Sequence, residues 1–223
     1  MKTLFALLLT ALLSLPVAAQ EWMYKPMKEI SNTGFEKQAG PIKPISTFPG
    51  KGKKGVEGWY VKFSSSFVKE SLKVTNKEAF KGDYSLQAKT NGQAKELYKG
   101  LLTHNPIKVK SPGRYRVSFW MKSSDPNARV KINVLLSKDE NGQVTKKNNQ
   151  GKPFTLVDAK PKAVDYKLGA DWKMISRQVV LTKKDIEAGY EYINPALLLG
   201  ETPNVTYYID EFNVEYVMKK QAK

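Results

Sequence analysis

Arg114-Tyr-Arg-Val-Ser-Phe-Trp-Met-Lys122 decides the fold class. Side chains of an extended strand point alternately to opposite faces, so Tyr115, Val117, Phe119 and Met121 share one side, and Arg116, Ser118, Trp120 and Lys122 the other. The first set is wholly apolar and reads as core. The second is polar around one tryptophan. Ser111-Pro112-Gly113 leads into the run and Ser123-Ser124-Asp125-Pro126-Asn127 leads out of it, and these breakers bound a strand at both ends.

Outward from this strand the same pattern recurs. Tyr84, Leu86 and Ala88 alternate after Lys81-Gly82-Asp83, and Val130, Ile132, Val134 and Leu136 alternate further on. Lys173 to Leu181 and Tyr208 to Tyr216 read as two more strands. Asp139-Glu-Asn-Gly142 is a turn signal with Asn-Gly at its centre. Residues 145–168 are polar and lysine-rich, an excursion expected on the rim, where binding loops tend to sit. Lys183 to Glu187 suits one helical turn, and Lys51-Gly52-Lys53-Lys54-Gly55 is a basic loop. No repeat is evident. Helical periodicity is nearly absent, so the expected fold is all-β, an antiparallel two-sheet jelly-roll sandwich.

Residues 1–19 have the basic start, the apolar run from Leu4 to Leu15 and the small-residue end, Ala18-Ala19, of a secretory signal peptide. That leader predicts an exported protein, periplasmic, cell-surface or secreted, and residues 20–223 are expected to form one domain. No other apolar run is long enough to span a membrane. The sequence has no cysteine, so burial rather than disulfides must hold the domain together. That combination suits a Gram-negative envelope. The formal net charge of +16 favours anionic partners, although the lysines are spread along the chain and also serve as guards on exposed strands. Catalytic chemistry is poorly served. His104 is the single histidine, which leaves triads and zinc sites short of ligands, and it sits in a Thr-His-Asn-Pro turn. Asp210 and Glu211, adjacent on a strand, are expected to point to opposite faces rather than act as a pair.

Several motifs, in order, resemble a known family: Ser31-Asn32-Thr33-Gly34-Phe35-Glu36, then Gly58-Trp59, Phe80-Lys81-Gly82-Asp83-Tyr84-Ser85, Val109-Lys-Ser-Pro-Gly113 with the strand that follows, Asp171-Trp172, and Tyr207-Tyr-Ile-Asp-Glu-Phe-Asn-Val214. This set resembles the galactose-binding-domain-like jelly roll of carbohydrate-binding modules of families four, nine and twenty-two. The resemblance implies a structural calcium ion held by Glu36 and Asp210, with backbone carbonyls of Gly34 and Lys81 as further donors. It also implies a sugar-binding face on the concave surface of one sheet.

Sugar rings present apolar C–H faces and hydroxyl edges, which aromatic platforms with polar flanks recognise. Trp120, Arg116 and Lys122, on the polar side of their strand, are the leading ligand-binding candidates. Trp59 and Tyr60 are added from the strand after Gly58, with Trp172 and Tyr190 as further aromatics, although Trp59 and Trp172 match positions that favour the core. The expected function is non-catalytic capture of a polysaccharide or glycoconjugate at the bacterial envelope, an anionic glycan suiting the charge, with no specific nucleic-acid partner. Two alternatives stand beside it: an envelope protein-interaction module, and a jelly-roll polysaccharide lyase or glycoside hydrolase.

Overall fold

In the computed structural model the structure describes residues 22–27, 30, 33–37, 43–44, 56–142, 145–146 and 165–219. Its strands are β1 (Trp22–Pro26), β2 (Lys43–Pro44), β3 (Trp59–Phe63), β4 (Lys73–Thr75), β5 (Ser85–Lys89), β6 (Leu101–His104), β7 (Ile107–Lys108), β8 (Gly113–Ser123), β9 (Arg129–Ser137), β10 (Asp165–Lys167), β11 (Lys173–Leu181), β12 (Tyr192–Leu198) and β13 (Thr206–Lys219). One short helix, α1 (Lys183–Glu187), lies between β11 and β12.

The strands form two antiparallel sheets. The first runs β11-β8-β13-β5-β4-β2, with β1 also pairing β13; the second runs β10-β9-β12-β6-β3, with β7 also pairing β12. Non-consecutive strands lie side by side in both, which is the jelly-roll sandwich expected from the sequence. Strand β8 is an interior strand, paired to β11 on one side and β13 on the other. Its pleat is as the alternation requires. Tyr115, Val117, Phe119 and Met121 are buried in one continuous core with Val130, Ile132, Val134 and Leu136 of β9. Each such burial stabilises by about 1.5–3 kcal/mol. The other side of β8 faces away from the core.

Helix α1 is closed by a capping box, since Asp185 N donates to Thr182 Oγ1 at 3.2 Å and Thr182 N donates to Asp185 Oδ2 at 3.0 Å. Gly142 takes a φ of +68°, as the Asn-Gly turn demands. The strand expected from Tyr84 begins at Ser85, and those expected from Lys173, Val130 and Tyr208 are all present. The leader, the 51–55 loop and most of the 145–168 excursion lie outside the described residues, but the end of that excursion forms β10.

Candidate functional site

The N-terminal motif and the last strand meet, and two carboxylates make the junction. Asp210, completely buried, accepts hydrogen bonds at Oδ2 from the backbone N–H groups of Phe80 (2.8 Å) and Lys81 (3.1 Å), and at Oδ1 from Glu211 N (2.7 Å). Glu36 Oε1 accepts from Asp83 N (3.1 Å) and Tyr84 N (2.9 Å). Gly82 lies between these anchors with a φ of +72°, and a Cβ there would stand 2.5 Å from Glu36 Oε1, so this position requires glycine. Phe212 N donates to Thr33 O at 2.9 Å, tying the two termini of the motif set together. Glu36, Asp210, Gly34 and Lys81, named from the sequence as calcium ligands, are thus neighbours around the 80–84 loop.

The expected divergence of Asp210 and Glu211 is overturned. A bulge between Asp210 and Asn213 breaks the pleat, and Glu211 takes a φ of +45°. Both carboxylates then approach Gly34: a Cβ built there would lie 3.0 Å from Glu211 Oε1 and 3.7 Å from Asp210 Oδ1. Burial pushes the Asp210 carboxyl up to about 6, opposed by its three N–H donors and reinforced by the Glu211 charge. The donors here are hard oxygens, the type calcium takes. Among the described residues no three acidic or histidine side chains converge as a metal cluster. An ion would therefore draw on backbone carbonyls for the rest of its shell.

The loop so anchored carries an aromatic residue onto the outer face of the first sheet. Phe80 stacks on Trp120 with ring centroids 3.8 Å apart and planes 11° from parallel, and Trp172 stands against Phe80 at 5.9 Å and 59°. Phe80 is 38% exposed, so it is the outer layer of the stack and Trp120 the layer beneath. Lys122 pairs with Glu78 at 3.0 Å and lies 5.9 Å from the Trp172 ring centroid. Arg116 pairs with Glu215 at 2.6 Å and lies over Tyr24, 3.5 Å from the ring centroid. Trp120, Arg116 and Lys122 therefore share one face, as their alternation requires. Phe80 was missed as a platform because its loop has no periodicity to show where its ring goes.

Trp59 and Tyr60 do not join them. Trp59 is a core residue, 3% exposed and packed against Phe35, His104, Phe119 and Phe212, and no ligand can stack on it. The pleat turns Tyr60 to the outer face of the second sheet, opposite Thr103 and on the far side of the sandwich from Trp120. The five candidates thus divide among two faces and the interior. Tyr60 belongs to a cross-strand row with Thr103, Ala196 and Asn133, all buried. Beside that row Leu101, Ala196 and Leu198 form a small apolar cluster, and buried Asn194 has no hydrogen-bond partner at Nδ2 among the described residues. Burial raises the Tyr60 hydroxyl, and its bond to Thr103 opposes this. His104 lies inside, beneath Gly58, with Nδ1 bonded to Asn105 O at 2.8 Å; burial holds its imidazole down at about 4.

A family model described as a carbohydrate binding domain matches residues 28–196, and the chain belongs to that family. No curated protein matches the chain. Among solved structures the fold is similar to that of a candidate sugar binding protein from Bacteroides thetaiotaomicron VPI-5482, at 17% identity and a TM-score of 0.54, covering 84% of this chain and 98% of that one. Similar too are TmCBM61, solved with β-1,4-galactotriose (15% identity, TM-score 0.47, 86% and 97% covered), and the CBM22-1 xylan-binding domain of Paenibacillus barcinonensis Xyn10C (18%, 0.45, 83% and 99%). No helix among the described residues is long and apolar enough to cross a membrane.

Proposed function

We propose that this protein is an exported, single-domain, non-catalytic carbohydrate-binding module of a bacterial envelope, and that the outer face of the first sheet holds its ligand. The observation that carries this reading is the Phe80–Trp120 stack. It presents an exposed ring on an open sheet face, with Trp172 set at an angle beside it. Such a corner suits the C–H face of a pyranose, while Lys122, Glu78 and Arg116 offer charged donors and acceptors to hydroxyls or acidic substituents. The basic charge of the chain supports an anionic polysaccharide or glycoconjugate. A glycan array on the mature protein tests this. Phe80→Ala is expected to lower glycan binding at least about tenfold, the scale of a central aromatic anchor. Unchanged binding by that variant would move the site elsewhere, and a protein that captures no glycan would favour a protein partner.

Calcium completes the reading as a structural ion held by Glu36 and Asp210, with carbonyls of Gly34 and Lys81. The support is a fully buried carboxylate beside a second one, where a cation would offset the mutual repulsion. Calcium is expected to raise the melting temperature and chelator to lower it, by mass action on the native state. Asp210→Asn should remove the response; a response retained in that variant sinks the assignment.

One observation favours a second location. Asn194, on the outer face of the second sheet two residues along β12 from Ala196 and beside Ser137 and Gly142, has a buried amide nitrogen with no partner among the described residues. Tyr60→Ala with glycan binding as the readout decides between the faces.

A further inference from the structure

The outer face of the first sheet carries a second aromatic cluster at its other end. Trp22 and Tyr24 of edge strand β1 are 39% and 37% exposed. Arg114 lies over the Trp22 ring at 5.4 Å, and Arg116 over the Tyr24 ring. Both arginines belong to the face of β8 that bears Trp120, so the two rings do as well. Lys219, directly opposite Trp22 in the β1–β13 pairing, points the same way and is exposed.

Three features make the two clusters ends of one track. First, β8 runs from one to the other. Trp120 and Arg114 are both on it, and at the rise of a strand their separation is roughly 20 Å, the length of roughly four sugar units. Second, the row between them is small and polar. Ser118 is flanked by Ser176 on β11 and Asn213 on β13, a low floor between Met174 and Trp120 on one side and Gln178 and Arg116 on the other. Third, the charge at the far end is uncompensated among the described residues. Glu78 and Glu215 already pair with Lys122 and Arg116, whereas the Arg114 guanidinium bonds to the neutral Gln178 side chain at 2.9 Å, and no carboxylate among the described residues meets it or Lys219.

We infer that Trp22, Tyr24, Arg114 and Lys219 form a second subsite, and that the ligand is a linear acidic polysaccharide lying along β8 across both clusters. This rests on the Phe80 platform being a sugar site. Its rings would take the apolar faces of sugars, and Arg114 with Lys219 would take their carboxylates, the guanidinium in bidentate fashion.

The test is binding of oligogalacturonates of two, four and six units to the mature protein, to Trp22→Ala and Arg114→Gln, and to Phe80→Ala. The native protein should bind the hexamer at least about tenfold more tightly than the dimer, because a joined second contact acts at high effective concentration. Trp22→Ala and Arg114→Gln should erase most of that gain and leave dimer affinity within about twofold of native. Phe80→Ala should lose both ligands. Both distal residues are exposed, and a melting curve checks that each variant folds. If the native protein binds dimer and hexamer equally, or if the distal variants keep the native length dependence, the second subsite is wrong and the Phe80 platform stands. If the native protein binds none of the three, the acidic track is wrong, and the glycan array with Phe80→Ala decides separately whether the platform stands.

Discussion

The outer faces of the two sheets are built by the same pleat and are opposite in character. On the first, every second residue of β8 is arginine, serine, tryptophan or lysine, and Phe80, Met174, Val180, Trp22 and Tyr24 stay exposed around them. On the second, the corresponding row is Tyr60, Thr103, Ala196 and Asn133, closed to solvent, with Tyr60 only 8% exposed. A sandwich needs one apolar face per sheet, and both sheets supply it inward. The outward alternates are free of that demand: the first sheet leaves rings and cations open to solvent around the whole length of β8, whereas the second closes its middle row and keeps its exposed ring, Phe63, at the edge strand β3. A face left open with so much apolar surface signals recognition.

The sharpest way to break this comparison sets a core residue of β3 against the platform residue of the 80–84 loop. Trp59→Ala should cost about 3–5 kcal/mol, the loss from truncating a core aromatic, whereas Phe80→Ala should cost binding with little stability. Chemical denaturation of both variants reads this out, and a stable Trp59→Ala protein with impaired glycan binding would reverse the assignment of inside and outside. Acid provides a second probe of the interior. His104 titrates near 4 in the folded protein against an ordinary 6.5, because burial disfavours its charge. Unfolding therefore takes up a proton between those values, so this residue's contribution is present above pH 6.5 and is lost as pH falls through 4, about 3 kcal/mol across the window. His104→Gln should flatten that part of the stability profile; an unchanged slope would mean that the imidazole is accessible.

A paired substitution on the outer faces tests them directly. Leu198→Ala, in the sealed cluster of the second sheet, should destabilise by about 2–3 kcal/mol, and Met174→Ala, exposed on the first sheet, by under about 1 kcal/mol. Equal losses would show that both faces are sealed. The smallest effect belongs to Lys122, whose pair with Glu78 is partly open to water. Lys122→Gln should change stability by no more than about 1 kcal/mol. It should also reduce the salt sensitivity of binding to an acidic glycan, measured between low and physiological ionic strength.

Much of the fold was legible because the hydrophobic pattern is local. The alternation from Tyr115 to Met121, the Asn141-Gly142 turn and the single helical turn after Thr182 each follow from neighbouring residues and appear where expected. The placement of Arg116, Trp120 and Lys122 on one face was legible for the same reason. What escaped was long-range or broke the pleat. Nothing in Asp210-Glu211-Phe212 announces a bulge, since the left-handed residue is a glutamate rather than a glycine. Phe80 reaches Trp120 only because Asp210, distant in sequence, holds its backbone. Trp59 and Tyr60 could be separated only once the register of β3 with β6 set which of the two turns inward.

The pairing of β1 with the end of β13 has a mechanical consequence. Trp22 stands directly opposite Lys219, and the ladder runs antiparallel from there to Pro26 opposite Glu215. A load applied between those two strand ends would open the hydrogen bonds one after another, starting at Trp22, rather than shearing them together. Tension would thus peel away the edge strand bearing Trp22 and Tyr24 while β8, paired on both sides, stayed in place. A protein held by these ends would lose the rings of its edge strand under strain before it lost its core.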